Sequence, residues 1–512
     1  MKILNDFINN RSVKISIIII LQVLGVFLLI KYFNHASLVY NITLIINFCI
    51  GISILSKNDL NPIYKLMWIC ILSLLPVVGS LIYLLWGDRK ITRRMQKQMS
   101  SANKKSLDFM NEFCSHFVKS EVLSGGEKAS AKYLESYAEA PVFTNTDARY
   151  FSCGEDFFVA LKQELEKAEK FIFMEYFIIK QGAMWDEIYD ILKEKAKQGV
   201  EIRIIYDAFG SMFHLPEDFI KNCEAFGIKC QSFNGIKFTA IITEYTFLNH
   251  RDHRKICVID GNTGFTGGIN IADEYININT KCGHWKDTAV MLRGDAVISL
   301  TTTFLKMWGY LCPETDDDFI KYLPTIKGGG DFYVQPYEDT PADVENVSEN
   351  SYFNVIYHAR NYVYITTPYL IIDYEMIVSL SIAAKSGVDV RIIVPGIPDK
   401  KYAYYITQSF YPELIRAGVK IYEYTPGFMH AKMFVRDDEQ AIVGTANMDY
   451  RSLYLHFENC CAFYGGDIVK DVRNDFEKLF EVSHRITPED LKTTSKFKRL
   501  IQLLLKFFSP IM

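Results

Sequence analysis

The chain has 512 residues, of which 49% are hydrophobic and 23% are charged. This length and composition exclude a disordered or fibrous protein and allow two or three domains with cores of their own. The net charge of −4 disfavours a general nucleic-acid binder, which would be basic. The charge is unevenly spread, because residues 1–100 carry eleven basic and three acidic side chains, so the acidic excess lies in the remainder.

The eleven cysteines are odd in number and never form a C-x-x-C pair. Their spacing therefore indicates neither a disulfide framework nor a zinc site. Reduced thiols in a reducing compartment are the simplest interpretation.

Three apolar runs precede residue 90. The first covers residues 13–33, the second, Leu38–Leu55, is interrupted by two asparagines, and the third, Met67–Trp86, contains no charged side chain. About 20 apolar residues suffice to cross the hydrocarbon core of a bilayer. Residues 1–90 are therefore predicted to form a membrane-anchoring region of two or three hydrophobic, transmembrane helices.

A cluster of basic side chains follows the third run directly. It comprises Arg89, Lys90, Arg93, Arg94 and Lys97. By the positive-inside rule, this cluster predicts a multi-pass protein of the cell membrane whose body is cytoplasmic. Basic residues near the start of the chain favour a cytoplasmic N-terminus too, which needs an even number of crossings. The sequence leaves two and three crossings open.

Beyond residue 100 the chain contains an internal repeat. Residues 170–207 read as a strand, an amphipathic helix and a second strand that begins GVEIRII, and residues 361–396 repeat this order with GVDVRII. Short apolar strands that alternate with amphipathic helices are typical of a largely parallel, helix-covered sheet. The repeat therefore predicts an α/β protein with two copies of one lobe.

The boundaries follow from changes in composition. A polar linker is predicted at residues 91–135, the first lobe at 136–325 and the second lobe at 326–485. Residues 486–512 form a tail in which basic residues alternate with Leu, Ile and Phe. This amphipathic tail is predicted either to lie on a membrane surface or to dock on the core of the protein.

The same motif, H-x-K-x4-D-x6-G-[GT]-x-N, occurs once in each copy. The first motif contains His253, Lys255, Asp260, Gly268 and Asn270. The second contains His430, Lys432, Asp437, Thr445 and Asn447. Two occurrences in register with an independent repeat indicate a shared chemical role.

The spacing of the motif suits a phosphodiester. Histidine and lysine two residues apart on a strand point to the same face, so both can meet one ligand. Lysine and asparagine side chains from both copies can stabilise the charge on non-bridging oxygens. One imidazole can attack phosphorus, while the other, protonated, donates to the leaving alkoxide and then takes a proton from the incoming hydroxyl. This chemistry requires no metal ion and no other cofactor.

The duplicated motif resembles that of the phospholipase D superfamily over roughly residues 140–480. More narrowly, the chain is similar to the bacterial cardiolipin synthases of the phospholipase D type. The stretches that carry this likeness are NPIYKLMWICILSLLPVVGSLIYLLWGDRK, NHRDHRKICVIDG, GGINIADEY, GHWKDT, TPYLIID, GTANMDYRS, FEN and the closing FFSPIM. The resemblance implies two phospholipase D-like lobes that form one active site at their interface.

The resemblance also implies roles for single residues. His253 becomes the nucleophile and His430 the general acid and base. The carboxylates that orient the two histidines fall by position on Asp287 and Glu458.

For the remaining motif residues, the resemblance implies mainly supporting and binding roles. Asp260 and Asp437 support the motifs. Substrate-binding residues are Asn270, Asn447 and Thr445. Gly268 and Thr445 stand where serine is common in the family, and the glycine removes one possible hydroxyl contact to phosphate.

The reaction implied is the conversion of two phosphatidylglycerol molecules into cardiolipin and glycerol through a phosphohistidine. The partners would be membrane phospholipids and the lipid bilayer, and not nucleic acid. Three alternatives remain at this point: a membrane-anchored phospholipase D that hydrolyses phosphodiesters, a nuclease of the same superfamily, and a non-catalytic membrane scaffold. The sequence leaves the oligomeric state open.

Overall fold

The structure is a computed structural model that describes residues 36–57, 60–87, 91, 93–113, 118–235, 249–278, 281–315 and 317–511. The first apolar run, residues 13–33, and the basic residues Arg89 and Lys90 lie outside the described residues. The chain divides into two compact units. One contains the N-terminal segment as far as Lys90, and the other contains most of the chain from Ile91 to Ser509.

The N-terminal unit is helical where it is described. Its helices are α1 (Ala36–Ser56), α2 (Pro62–Leu74) and α3 (Pro76–Trp86). The third apolar run is therefore not one continuous helix, as the absence of charge suggested, but is divided at Leu75. The reason is Pro76, which has no N–H to continue the helical hydrogen bonds and starts the next helix instead.

Asn47, one of the two asparagines in the second run, ties these helices together. Its side-chain amide donates to the carbonyl oxygen of Leu72 at 3.0 Å, and its side-chain oxygen accepts from the hydroxyl of Ser80. A polar side chain in an apolar helix is thus satisfied inside the unit. Among the described residues, no helix combines the length and the apolarity needed to cross a membrane.

Residues 91–135, predicted as a polar linker, contain two packed helices. These are α4 (Arg93–Phe113) and α5 (Gly125–Tyr137). Met95 and Met110 of α4 are buried in the main core of the body. The apolar positions of α4 are few but lie on one face, so a helix with a polar average composition still packs on the body.

The first lobe contains a seven-stranded sheet and the helices that cover it. Its strands are β1 (Thr146–Phe151), β2 (Phe171–Tyr176), β3 (Glu201–Asp207), β4 (Lys229–Phe233), β5 (Lys255–Ile259), β6 (Thr263–Gly267), the short β7 (His284–Lys286) outside the sheet, and β8 (Ala289–Gly294). Its helices are α6 (Gly154–Lys167), α7 (Ala183–Lys197), α8 (Phe219–Glu224) and α9 (Val297–Leu311).

The second lobe contains an eight-stranded sheet. Its strands are β9 (Tyr333–Asp339), β10 (Tyr362–Thr366), β11 (Asp389–Pro395), β12 (Lys420–Tyr424), the short β13 (Gly427–Met429) outside the sheet, β14 (Met433–Arg436), β15 (Gln440–Gly444), β16 (Glu458–Tyr464) and β17 (Ser483–Arg485). Its helices are α10 (Val347–His358), α11 (Tyr374–Lys385), α12 (Lys401–Ala417), α13 (Tyr450–Tyr454), α14 (Gly466–Glu481), α15 (Pro488–Lys492) and α16 (Lys496–Phe507).

The two sheets have the same topology. The order β4-β3-β2-β5-β6-β8-β1 in the first lobe corresponds strand by strand to β12-β11-β10-β14-β15-β16-β9 in the second, which adds β17 at its edge. Only β2–β3–β4 and β10–β11–β12 pair in parallel, and the other neighbours are antiparallel. The expectation of a largely parallel sheet was therefore wrong, because the motif-bearing segments fold as antiparallel hairpins rather than as strand–helix–strand units.

The two lobes share one hydrophobic core. Val258 and Val290 of the first sheet belong to the same buried cluster as Val435 and Phe463 of the second. The hairpins β5–β6 and β14–β15 are central in their sheets, and each is preceded by a motif histidine. The fold thereby brings the two motifs to the junction of the lobes.

Candidate active site

Backbone pairing between the lobes positions both histidines. The amide of His253 donates to the carbonyl oxygen of Phe457 at 2.9 Å, and the amide of His430 donates to that of Lys286 at 2.7 Å. The second contact continues the parallel pairing of β13 with β7. Each histidine thus precedes its strand, rather than lying within it, and is held by the other lobe.

The side chains repeat this crossed arrangement. Nδ1 of His253 lies 2.9 Å from both carboxylate oxygens of Glu458, and Nδ1 of His430 lies 2.6 Å from Oδ2 of Asp287. Each carboxylate directly follows the residue whose carbonyl oxygen accepts from the histidine amide. A histidine of one lobe is therefore oriented by a carboxylate of the other, and both motifs contribute to one site.

Burial keeps both imidazoles neutral. It lowers the pKa of His253 to about 3 and that of His430 to about 4, and the positive charges of Lys255 and Lys432 act in the same direction. Burial alone would raise the pKa of Glu458, but the hydrogen bond from His253 holds it below its usual range. A neutral imidazole that donates from Nδ1 to a carboxylate has a free electron pair on Nε2 for attack.

The two motif lysines supply positive charge to the same site. Both side chains are buried, and burial lowers the pKa of Lys255 to about 7 and that of Lys432 to about 8. The charge of Lys432 also lowers the pKa of Lys255. Nζ of Lys432 lies 2.8 Å from Nδ1 of His430. An anionic phosphodiester in the site would reduce the repulsion between the ammonium groups of Lys255 and Lys432.

The two motif asparagines, predicted to bind substrate, have different partners. The side-chain oxygen of Asn270 accepts from the amide of Ile178 at 3.0 Å, and its amide group donates to the hydroxyl of Tyr275 at 2.6 Å. The amide of Asn447 donates to Asp449 at 3.1 Å, while its buried oxygen has no partner among the described residues. Asn270 therefore stabilises the loop before α7. The side-chain oxygen of Asn447 is left without a hydrogen bond among the described residues.

Gly268 and Thr445 occupy equivalent positions in the two motifs, but they contact the histidine-orienting carboxylates in different ways. A Cβ atom at Gly268 would lie 2.1 Å from Oδ1 of Asp287, so only glycine leaves room for this carboxylate. The hydroxyl of Thr445 instead donates to Oε2 of Glu458, and its amide donates to the carbonyl oxygen of Asn459 at 3.0 Å. The side chain of Glu458 therefore accepts a hydrogen bond from a hydroxyl group. The carboxylate of Asp287 instead occupies the space that a side chain at position 268 would need.

Asp260 and Asp437 lie at the tips of the motif hairpins, where each adopts a left-handed backbone conformation. Asp260 accepts hydrogen bonds from the backbone amides of residues 169–171, and Asp437 accepts from those of residues 360–362, all at 2.6–2.9 Å. Each carboxylate therefore caps the start of the neighbouring strand, β2 or β10. This contact supports the hairpin that carries the histidine.

Sequence reasoning did not identify the aromatic residues around the histidines. The ring of His430 lies 5.4 Å from those of Tyr275 and Trp285 and 5.7 Å from that of Phe428, and the ring of His253 lies 4.9 Å from that of Phe177. These apolar walls account for much of the burial that lowers the histidine pKa values. Trp285 belongs to the GHWKDT stretch, and its place in this stretch was the sequence signal that could have indicated a position near the site.

A buried ion-pair cluster was also not identified. Arg254, between the histidine and lysine of the first motif, contacts Glu175 at 2.7 Å, Asp252 at 3.0 Å and Glu338 at 3.1 Å. Because Glu338 belongs to the second sheet, the cluster joins the lobes behind His253. Glu175 and Glu338 are far from Arg254 in sequence, and no local pattern connects them with it.

Comparisons with known proteins agree with this geometry. The family described as cardiolipin synthase, PLD-like domain, matches residues 161–308 and 352–480, and the phospholipase D-nuclease N-terminal family matches residues 45–87. An uncharacterized protein of Streptococcus mutans is 42% identical over 90% of this chain and 98% of its own length.

Relatives named as cardiolipin synthases match over similar shares of this chain. A cardiolipin synthase of Geobacillus kaustophilus is 34% identical over 90% of this chain and 91% of its own length. Cardiolipin synthase 2 of Bacillus cereus is 34% identical over 91% of this chain and 90% of its own length. A crystal structure of phosphatidylserine synthase from Haemophilus influenzae has a TM-score of 0.57 at 15% identity and covers 75% of this chain and 97% of that one, which supports the fold.

The contact between Gly268 and Asp287 leads to a first prediction. We expect Gly268→Ala to lower kcat by about tenfold or more, because the added methyl group displaces the carboxylate that orients His430. The melting temperature should change little, since the displaced atom is the end of a side chain. Gly309→Ala is the matched control, because no atom lies within 4 Å of its added Cβ. Equal activity of both variants would contradict the role given to this gap.

The two lysines lead to a prediction on pH. Their lowered pKa values mean that positive charge is present below about pH 7 to 8 and is lost as the pH rises through this range. If both charges are needed, log(kcat/KM) should fall with a slope near −2 above pH 8. In Lys432→Arg the guanidinium stays charged, and the slope should become −1. The control is Lys197→Arg, at an exposed position on α7, which should keep the slope of −2. An unchanged slope in Lys432→Arg would argue against a role for the charge of Lys432.

Proposed function

Because the chain belongs to the family of phospholipase D-like cardiolipin synthases, which makes it a phosphatidyltransferase, we propose that it converts two phosphatidylglycerol molecules into cardiolipin and glycerol. The observation that carries the proposal is the crossed pairing of His253 with Glu458 and of His430 with Asp287. Two oriented imidazoles and two buried ammonium groups in one site suit displacement at a phosphodiester.

In the first half of the reaction, Nε2 of His253 attacks the phosphorus of one phosphatidylglycerol. The bond from phosphorus to the glycerol oxygen breaks, and His430 donates a proton to that oxygen so that glycerol leaves. Glu458 stabilises the positive charge on the phosphorylated imidazole through Nδ1–H. Lys255 and Lys432 offset the charge that develops on the non-bridging oxygens.

In the second half, a glycerol hydroxyl of the other phosphatidylglycerol gives its proton to His430 and attacks the phosphorus. The bond from phosphorus to Nε2 breaks, which releases cardiolipin and restores His253. His430 must hold a proton before the first half and again after the second, although burial and Lys432 disfavour its charge in the empty site. A bound phosphate group adds negative charge beside both side chains and raises the pKa of His430 to suit this role.

Membrane attachment is the second part of the proposal. Its support is the match of residues 45–87 to the N-terminal segment of this class of proteins, together with the apolar runs before residue 90. The basic residues after Trp86 favour a multi-pass arrangement with a cytoplasmic body. A bilayer location supplies the acceptor lipid at high local concentration, which favours transfer to a lipid alcohol over hydrolysis by water.

The C-terminal helix α16 provides further contact with the bilayer. Its polar edge packs on the body, where the ammonium groups of Lys498 and Lys506 lie 5.3 and 4.1 Å from the ring centres of Tyr405 and Phe410. Its apolar edge faces outward, with between half and three quarters of each side chain exposed at Phe497, Leu500, Leu503 and Leu504. An amphipathic helix held in this orientation suits the interface of an anionic bilayer.

The reaction is tested with labelled phosphatidylglycerol and the full chain in vesicles. Cardiolipin and glycerol are the expected products, and His253→Ala or His430→Ala should lower the rate by about 10³-fold or more because each removes a reacting group. A phosphatidyl adduct, detected by mass spectrometry after rapid quenching, should be found on His253. The exposed His484→Ala is the control. Phosphatidic acid as the main product would instead identify a hydrolase.

The role of α16 is tested with Leu503→Glu, which places a charge on its exposed apolar edge. We expect the concentration of phosphatidylglycerol in mixed micelles that gives half-maximal rate to rise about tenfold, with little change in kcat, because bilayer contact weakens while the site is intact. Val159→Glu, at another exposed apolar position, on α6, is the matched control. An effect of the same size in both variants would contradict a specific role for α16.

A further inference from the structure

A third histidine lies beside the proposed nucleophile. His456 is in the turn between α13 and β16, and its ring centre lies 5.6 Å from that of His253. Its side chain is 10% exposed, and neither ring nitrogen has a hydrogen-bond partner among the described residues. A buried imidazole whose nitrogens make no hydrogen bond is costly unless something binds it. The reaction described above makes no use of this side chain.

The surroundings of His456 offer two further metal ligands. Its Nδ1 lies 3.7 Å from Oε1 of Glu458, and that carboxylate lies 2.9 Å from Nδ1 of His253. One ligand atom from each of these three side chains can be chosen so that all lie within 4.8 Å of one another. Ligand atoms of a tetrahedral zinc site, with bonds of about 2.0–2.1 Å, lie about 3.4 Å apart, so small side-chain shifts would close the site.

The chemistry of the donors selects the ion. Two imidazoles and one carboxylate suit Zn²⁺ and neighbouring divalent transition metals, whereas Mg²⁺ and Ca²⁺ prefer oxygen ligands. The hydroxyl of Thr445, which donates to Glu458, would hold the carboxylate in place for the metal, as supporting hydrogen bonds do in zinc sites.

We propose that His253, His456 and Glu458 form a binding site for Zn²⁺ and that occupation of this site reversibly blocks the enzyme. A bound ion takes up the electron pair or the carboxylate partner that His253 needs in order to attack phosphorus. The ion is thus an inhibitor and supplies no step of the reaction. The binding half of this proposal stands on geometry alone, and the inhibition half rests on the proposed function.

Binding is tested on the full chain in detergent micelles with Co²⁺ as a spectroscopic probe. Four-coordinate Co²⁺ should give intense visible absorption bands that Zn²⁺ abolishes by displacement. In His456→Asn the bands should be lost, and the affinity for Zn²⁺ should fall about tenfold or more, because one of three protein ligands is removed. His484→Asn, which alters an exposed histidine, should bind as the unaltered chain does. Equal affinity of the unaltered chain and His456→Asn, or no binding by either, would overturn the proposal.

Inhibition is tested separately with labelled lipid and increasing Zn²⁺. The unaltered chain should be inhibited and should recover on addition of a chelator, and His456→Asn should need about tenfold more Zn²⁺ for the same fractional inhibition. Binding without inhibition would overturn the inhibitory half. A chain that makes no cardiolipin under any condition would refute the proposed function, while the Co²⁺ spectra would still decide whether the site exists.

Discussion

The exchange of hydrogen bonds between lobes is the constraint on which the site depends. The residue before each carboxylate accepts from the backbone of a histidine in the other lobe, and the carboxylate itself accepts from the same imidazole. One short stretch of paired backbone therefore sets the position of both the histidine and its partner. Because the pattern occurs twice, the same set of backbone and side-chain contacts positions each imidazole.

This arrangement also makes the burial of so much charge tolerable. Two lysines, two histidines and two carboxylates are removed from water at the junction of the lobes, which is expensive unless opposite charges compensate. Neutral imidazoles reduce the cost, and the carboxylates offset the lysines. The two ammonium groups and the two carboxylates therefore balance, and the empty site is close to neutral overall.

Much of this could be predicted from the sequence, because the information was local or repeated. The duplicated motif and the flanking stretches predicted two similar lobes and the cardiolipin synthase family, and the comparisons confirmed both. The third apolar run was predicted to cross the membrane as one helix, but the structure divides it at Pro76, although proline is the usual signal for such a break. The helix α4 was taken for a linker because its average composition is polar. The few apolar residues that pack on the body, such as Met95, change the average hydropathy of the segment only a little.

What the sequence could not provide was the pairing of residues distant in the chain. Position in each motif suggested that Asp287 and Glu458 orient the histidines, but not which histidine each would meet. The gap at Gly268 was interpreted as a missing phosphate contact, whereas the structure shows it filled by a carboxylate. His456 carried no signal beyond its place before the FEN stretch, since its significance lies in its distance from His253.

The crossed pairs have a consequence for how activity arises during synthesis. His253 meets its carboxylate 205 residues later in the chain, and His430 meets one 143 residues earlier. A polypeptide that holds only the first lobe contains His253 but lacks Glu458, so its imidazole has no carboxylate partner of this kind. Both histidines therefore acquire their carboxylate partners only once the chain has been made as far as β16, which begins at Glu458.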